Sequence, residues 1–113
     1  MMNLFENLQT MQEAELRTMS DKDSYVWQNG STFSDGSKPL ISEGKYGTMI
    51  IAPSEDDDEM IITSIYYGPD KDQWAWKSYI DKESAVKDGK ILSKLLDDEI
   101  DTNQLKRFGF ELA

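Results

Sequence analysis

Two runs of sequence decide the fold: Tyr46-Gly47-Thr48-Met49-Ile50-Ile51-Ala52, and Glu59-Met60-Ile61-Ile62-Thr63-Ser64-Ile65-Tyr66-Tyr67. Both are rich in β-branched and aromatic residues, which suit a pleated, half-buried surface. Between them lies Pro53-Ser54-Glu55-Asp56-Asp57-Asp58, a loop whose charges demand solvent. Antiparallel pairing through a hairpin is the simplest way to satisfy both requirements. The second run is apolar on both faces, with Met60, Ile62 and Tyr66 opposed to Ile61, Ile65 and Tyr67. A strand that is apolar on both sides belongs inside a sheet, not at its edge.

Downstream, Gly68-Pro69-Asp70-Lys71-Asp72 is a turn cluster. The alternation in Gln73-Trp74-Ala75-Trp76-Lys77-Ser78-Tyr79-Ile80 predicts a further half-buried strand. By size, Trp74, Trp76 and Ile80 are expected to face a helix, leaving Gln73, Lys77 and the amphipathic Tyr79 on the other side. Asp81 is placed to cap a helix carrying Ala85, Val86, Leu92, Leu95 and Leu96. Gly89 either sits inside that helix or ends it. Asp101 or Thr102 caps a last short helix over 103–108, stopped by Gly109.

Upstream the signal is weaker. Ser31 to Gly44 is irregular, with a short strand expected at Leu40-Ile41. Ser24-Tyr25-Val26-Trp27-Gln28 reads as a strand ended by the hairpin dipeptide Asn29-Gly30. Over residues 3–19, Leu4, Phe5, Leu8, Met11, Leu16 and Met19 recur at helical spacing behind a possible cap at Asn3. The expected architecture is one α+β domain over 1–113. It holds an antiparallel meander of three to four strands, with an N-terminal helix and C-terminal helices packed on it.

Composition narrows the chemistry. The 113 residues include 3 Trp, 5 Tyr and 4 Phe, enough to close a core, and neither Cys nor His. That removes thiolate chemistry, disulfides and Cys/His zinc sites, and with them the side chain that titrates near neutrality. With 22 acidic against 12 basic residues the net charge is −10, which disfavours direct binding to nucleic acid or to an anionic membrane. The acidity is concentrated: residues 1–70 carry 13 acidic and 4 basic side chains, and residues 71–113 carry 9 and 8. No apolar run approaches the roughly 20 residues of a membrane span. The start of the chain lacks the pattern of a secretory signal, so a cytoplasmic location is expected.

No catalytic, metal or cofactor site is legible. Asp70-Lys71-Asp72 opens like a calcium loop, but Trp74 and Ala75 stand where a ligand and a turn glycine belong. Ser84-Ala85-Val86-Lys87 matches Ser-x-x-Lys in letters only and falls on a surface helix turn. Asp97-Asp98-Glu99 with Asp101 reads as a solvated cluster that favours the start of the last helix.

The run Glu55-Asp56-Asp57-Asp58-Glu59 is the most conspicuous feature. It reads either as a solubilising hairpin loop or as a contact for a basic surface. With Tyr67, Asp70, Asp72 and Tyr79 it forms the expected partner-binding set. In size, acidity and lack of His and Cys, the chain resembles the small accessory or inhibitor proteins of phages and mobile elements. That resemblance is one of composition and carries no residues over. The sequence therefore points to a non-enzymatic protein-binding module. Its sharpest version is an inhibitor or immunity-type protein, DNA-mimicking in charge, that blocks the basic surface of a nucleic-acid-handling enzyme. The alternative is a structural or assembly protein acting as a homo-oligomer.

Overall fold

The structure, a computed structural model, describes residues 15–20, 32–54 and 60–113. Its centre is the hairpin anticipated above. Gly47–Pro53 (β3) and Ile61–Tyr67 (β4) pair antiparallel over their full lengths, from Gly47 opposite Tyr67 to Pro53 opposite Ile61. The Ser54 N–H donates to the Met60 carbonyl at 2.9 Å, continuing the ladder to the mouth of the acidic loop. Residues 55–59 themselves lie outside the described residues.

The meander extends further than the sequence suggested. Arg17–Thr18 (β1) and Leu40–Glu43 (β2) precede the hairpin, and Gln73–Tyr79 (β5) and Glu111–Leu112 (β6) follow it. Together they make a six-stranded sheet in the order β1-β2-β3-β4-β5-β6, antiparallel at every step. The interior position expected for β4 is observed. The strand foreseen at Leu40-Ile41 is β2. The two outermost strands escaped notice because two residues are too few to show a period.

Part of the expected N-terminal helix is corrected. Residues 15–20 are extended, with Arg17 and Thr18 in β1 and the Met19 N–H donating to the Pro39 carbonyl at 2.8 Å. Leu16 and Met19 do serve the core, but from opposite faces of a strand. Leu16 packs with the Met49 and Ile51 clusters and Met19 with Ile41 and Ile50. Period-2 alternation and a helical stripe share members over so short a window, and pairing with β2 decides for the strand. The remainder of the helix, over 3–14, lies outside the described residues, as do the strand over 24–28 and the Asn29-Gly30 turn.

After β5 the chain crosses one face of the sheet through two helices. Lys82–Leu92 (α1) runs into a 3₁₀ turn, Ser93–Asp97, and Thr102–Arg107 (α2) follows. Asp81 caps α1 by accepting from the Ser84 N–H at 2.7 Å, and Asp101 caps α2 by accepting from the Asn103 N–H at 2.9 Å. Gly89 lies inside α1, where an added Cβ would come within 2.8 Å of Ile51 Cδ1. The helix needs a bare backbone there to lie close on β3. At the end of α2, Gly109 adopts φ 91°. Its N–H donates to the Lys106 carbonyl and that of Phe110 to the Leu105 carbonyl. This is the paired C-cap that turns a helix back on itself, and it delivers Phe110 to the core and Glu111 to the sheet edge.

The core lies between this helical layer and one face of the sheet. Met49, Ile65, Tyr67, Ala75, Leu92, Leu96, Leu105 and Phe110 form its main cluster. Phe33, Ile51, Ile61, Tyr79 and Ala85 form a second. The irregular segment before β2 is held against α1 by Lys82, whose ammonium meets Ser37 Oγ at 2.8 Å and Asp35 Oδ2 at 3.3 Å and lies over the Phe33 ring. Within this core, Thr63 Oγ1 is fully buried and has no hydrogen-bond partner among the described residues. A buried hydroxyl left unpaired costs about 1–3 kcal/mol. Thr63→Val is therefore expected to raise stability by about 1 kcal/mol in chemical denaturation, and a loss of stability would show that the hydroxyl is engaged.

Candidate functional site

Strand parity divides the molecule into a covered face and an open one. Paired residues in antiparallel strands share a face. The helix-side set is therefore Met49 and Ile51, then Ile61, Thr63, Ile65 and Tyr67, then Gln73, Ala75, Lys77 and Tyr79. The opposite face carries Thr48 and Ile50, then Ile62, Ser64 and Tyr66, then Trp74, Trp76 and Ser78, and finally Glu111.

This reverses the expected orientation of β5. Trp74 is 39 % exposed and Ile80 77 % exposed, whereas Tyr67 and Tyr79 are only 5 % and 7 % exposed. The tyrosines expected to meet a partner are core residues, and the tryptophans expected in the core are on the surface. The reason is steric. Ala75 is fully buried where the helical layer crosses β5, and a close crossing selects the face with the small residue over the face with the indoles. The register carried the same information. With Tyr67 opposite Gln73, the alternation in β4 dictates that of β5.

On the open face, Tyr66 and Trp74 are cross-strand partners whose rings lie 7° from parallel at a centroid distance of 6.3 Å. Trp74 and Trp76, two residues apart on the strand, have ring centroids at 4.7 Å with planes inclined by 35°. The result is a continuous aromatic row, Tyr66–Trp74–Trp76, half-buried to exposed. Its surroundings are acidic. Glu111 is the cross-strand partner of Trp76, and the exposed Asp70 and Asp72 occupy the turn leading into Trp74. Lys71 takes a left-handed backbone, φ 55°, and sends its ammonium to Thr48 Oγ1 at 3.1 Å, on the β3 side of Tyr66.

Toward the far edge the same face closes over with Met19, Ile41 and Ile50, all buried. The open portion is therefore confined to β4, β5 and β6.

Of the expected partner-binding residues, Glu55, Asp56, Asp57, Asp58 and Glu59 lie outside the described residues, and Tyr67 and Tyr79 are buried. Asp70 and Asp72 flank the aromatic row at one end of the sheet. Ser54 and Met60, which bracket Glu55, Asp56, Asp57, Asp58 and Glu59, stand at the other end, opposite Tyr79. The ends are six residues apart along the strands, about 20 Å. Sequence reasoning missed Tyr66, Trp74, Trp76 and Glu111 as surface groups.

The helix-side cluster around Tyr79 is a structural tie. Its hydroxyl donates to Asp88 Oδ2 at 2.9 Å, and Lys77 lies 3.7 Å from the same carboxylate oxygen while donating to the Phe108 carbonyl at 2.7 Å. These contacts fasten β5 to α1 and to the end of α2. Among the described residues no group of three or more acidic side chains is arranged to hold a metal ion, and no helix is long and apolar enough to cross a membrane. Compared with known proteins, the chain matches no family model, no curated protein and no solved structure.

Burial, and secondly the hydrogen bond to the Asp88 carboxylate, raise the Tyr79 phenol above the ordinary tyrosine range. A raised folded-state value means that its contribution to stability is intact at neutral pH. That contribution is lost as pH climbs past the unfolded value of about 10. Near-ultraviolet absorbance titration should show a late-ionising phenol that is lost in Tyr79→Phe. A normal titration of all five tyrosines would refute the Tyr79–Asp88 bond.

Proposed function

We propose that this protein is a non-enzymatic binding module that docks on a basic protein surface through the open end of its sheet. The observation that carries the reading is the row Tyr66–Trp74–Trp76, half-buried to exposed on the sheet's open face within a chain of net charge −10. Tryptophan and tyrosine dominate interface energies because they offer large apolar area at little conformational cost. Monomeric domains seldom leave such groups contiguous on a surface without a use for them.

Charge sets the kind of partner. A strongly acidic domain is steered toward cationic surfaces and repelled from other acidic ones. The groove of a nucleic-acid-handling enzyme is such a surface, so the reading is of an inhibitor or immunity-type protein of phage-like character acting in the cytoplasm. The carboxylates of Glu55, Asp56, Asp57, Asp58 and Glu59 supply further negative charge to the same basic partner. Tyr67 and Tyr79 take no part, being buried.

A second reading is assembly from copies of this chain, favoured by the exposed Ile80 and Ile91, at 77 % and 54 %. Sedimentation of the isolated protein separates the two, since a stable oligomer with the indoles buried would replace the first reading by the second.

The direct test captures a partner from the native host with the full chain and then measures binding with purified components. Affinity is expected to fall at least tenfold between about 50 mM and about 500 mM salt. Trp74→Ala is expected to weaken binding by about 2 kcal/mol or more with the fold retained. Reversal of Asp56, Asp57 and Asp58 to Lys should slow association more than it hastens dissociation. Affinity unchanged by salt, or by Trp74→Ala, would remove this surface from the interface.

A further inference from the structure

The carboxylates of this protein fall into two groups. Some already have a cation: Glu43 lies 2.9 Å from Arg17, Asp35 lies 3.3 Å from Lys82, and Asp88 lies 3.7 Å from Lys77. The three that border the indoles do not. Among the described residues, Glu111, Asp70 and Asp72 have neither a hydrogen bond nor an ion pair. The nearby cations are committed elsewhere. Lys77 belongs to the covered face and bonds the Phe108 carbonyl, and Lys71 reaches away to Thr48 on the β3 side of Tyr66. An unpaired carboxylate thus stands at the register position opposite the half-buried Trp76, and two more occupy the turn that leads into the exposed Trp74.

From this juxtaposition we infer that the Trp74–Trp76–Glu111 corner is a receptor for arginine side chains of the basic partner. The inference rests on the proposed docking role and specifies its chemistry. Trp76 and Glu111 are directly opposed on adjacent antiparallel strands, which sets their Cβ atoms about 5 Å apart. A guanidinium is planar. It stacks on an indole while its edge offers parallel N–H donors to a carboxylate. An ammonium is a compact, strongly hydrated point charge and cannot satisfy both surfaces in one pose. Asp70 and Asp72 add negative potential at the Trp74 end, drawing a second cationic side chain along the row. On β6, Glu111 and Leu112 face Trp76 and Ala75, and the Ala113 N–H carries the ladder on to the Trp74 carbonyl at 2.9 Å.

The test titrates the full chain with oligo-arginine and oligo-lysine peptides of equal length at one salt concentration, following affinity and the tryptophan indole N–H resonances. Cation–π contact at an exposed site corresponds to about a two- to fivefold preference for the arginine peptide. That preference is expected to vanish in Trp74→Ala and in Glu111→Gln, and the indole signals are expected to shift with arginine only. The exposed Glu111→Gln decides the matter if Trp74→Ala proves poorly folded. Equal affinity for the two peptides, with both still salt-sensitive, overturns the arginine receptor and leaves the docking role standing. A preference that survives both substitutions also overturns it. Binding of neither peptide defeats both readings. Indole shifts that depend on protein concentration alone mean that a second copy occupies the face, which likewise overturns the inference.

Discussion

The constraint on which this molecule depends is the close seating of α1 and the 3₁₀ turn on one face of the sheet. Gly89 brings the helix backbone to Ile51, and Ala75 is buried where the layer crosses β5. A larger residue at either place would lift the helices and open the two clusters that contain Ile51 and Ala75. Once the helical layer has taken that face, parity leaves no choice about the other. Every second residue of β4 and β5 must point away from the core, and in this chain those residues are Ile62, Ser64, Tyr66, Trp74, Trp76 and Ser78. Interior and surface are thus decided together by where the small residues stand.

The ties around the layer act in the same sense. Lys82 gathers Phe33, Asp35 and Ser37 against the start of α1, and Lys77 joins β5 to Asp88 and to the carbonyl of Phe108. In both cases a long aliphatic stem crosses apolar surface while the ammonium finds oxygen at the rim. These bonds join elements remote in sequence.

Much of this was legible in the residues. The β3–β4 hairpin, the interior place of β4, both helix caps and the stop at Gly109 follow from local chemistry, which acts over a few residues and leaves a mark in them. The α+β class follows from their order. What was not legible depended on distant contacts. Arg17–Thr18 and Glu111–Leu112 are strands only because a neighbour offers a ladder to join. The orientation of β5 was misjudged because hydrophobicity was weighed by side-chain size, and two indoles outweigh an alanine. Tyr67 and Tyr79 were assigned to the surface by the same error. The expected contact set therefore pairs the carboxylates with Tyr67 and Tyr79, whereas the aromatic side chains on the open face are Tyr66, Trp74 and Trp76.

The spacing of the two indoles has an optical consequence. Chromophores held 4.7 Å apart at a fixed inclination do not absorb independently. Their excited states mix, and the handedness of the pair appears as a split band of opposite signs in circular dichroism. Because Trp74 and Trp76 sit on successive outward positions of one strand, that band reports the geometry of the open face itself. The protein thus carries an intrinsic, label-free gauge of whether this surface is bare or covered.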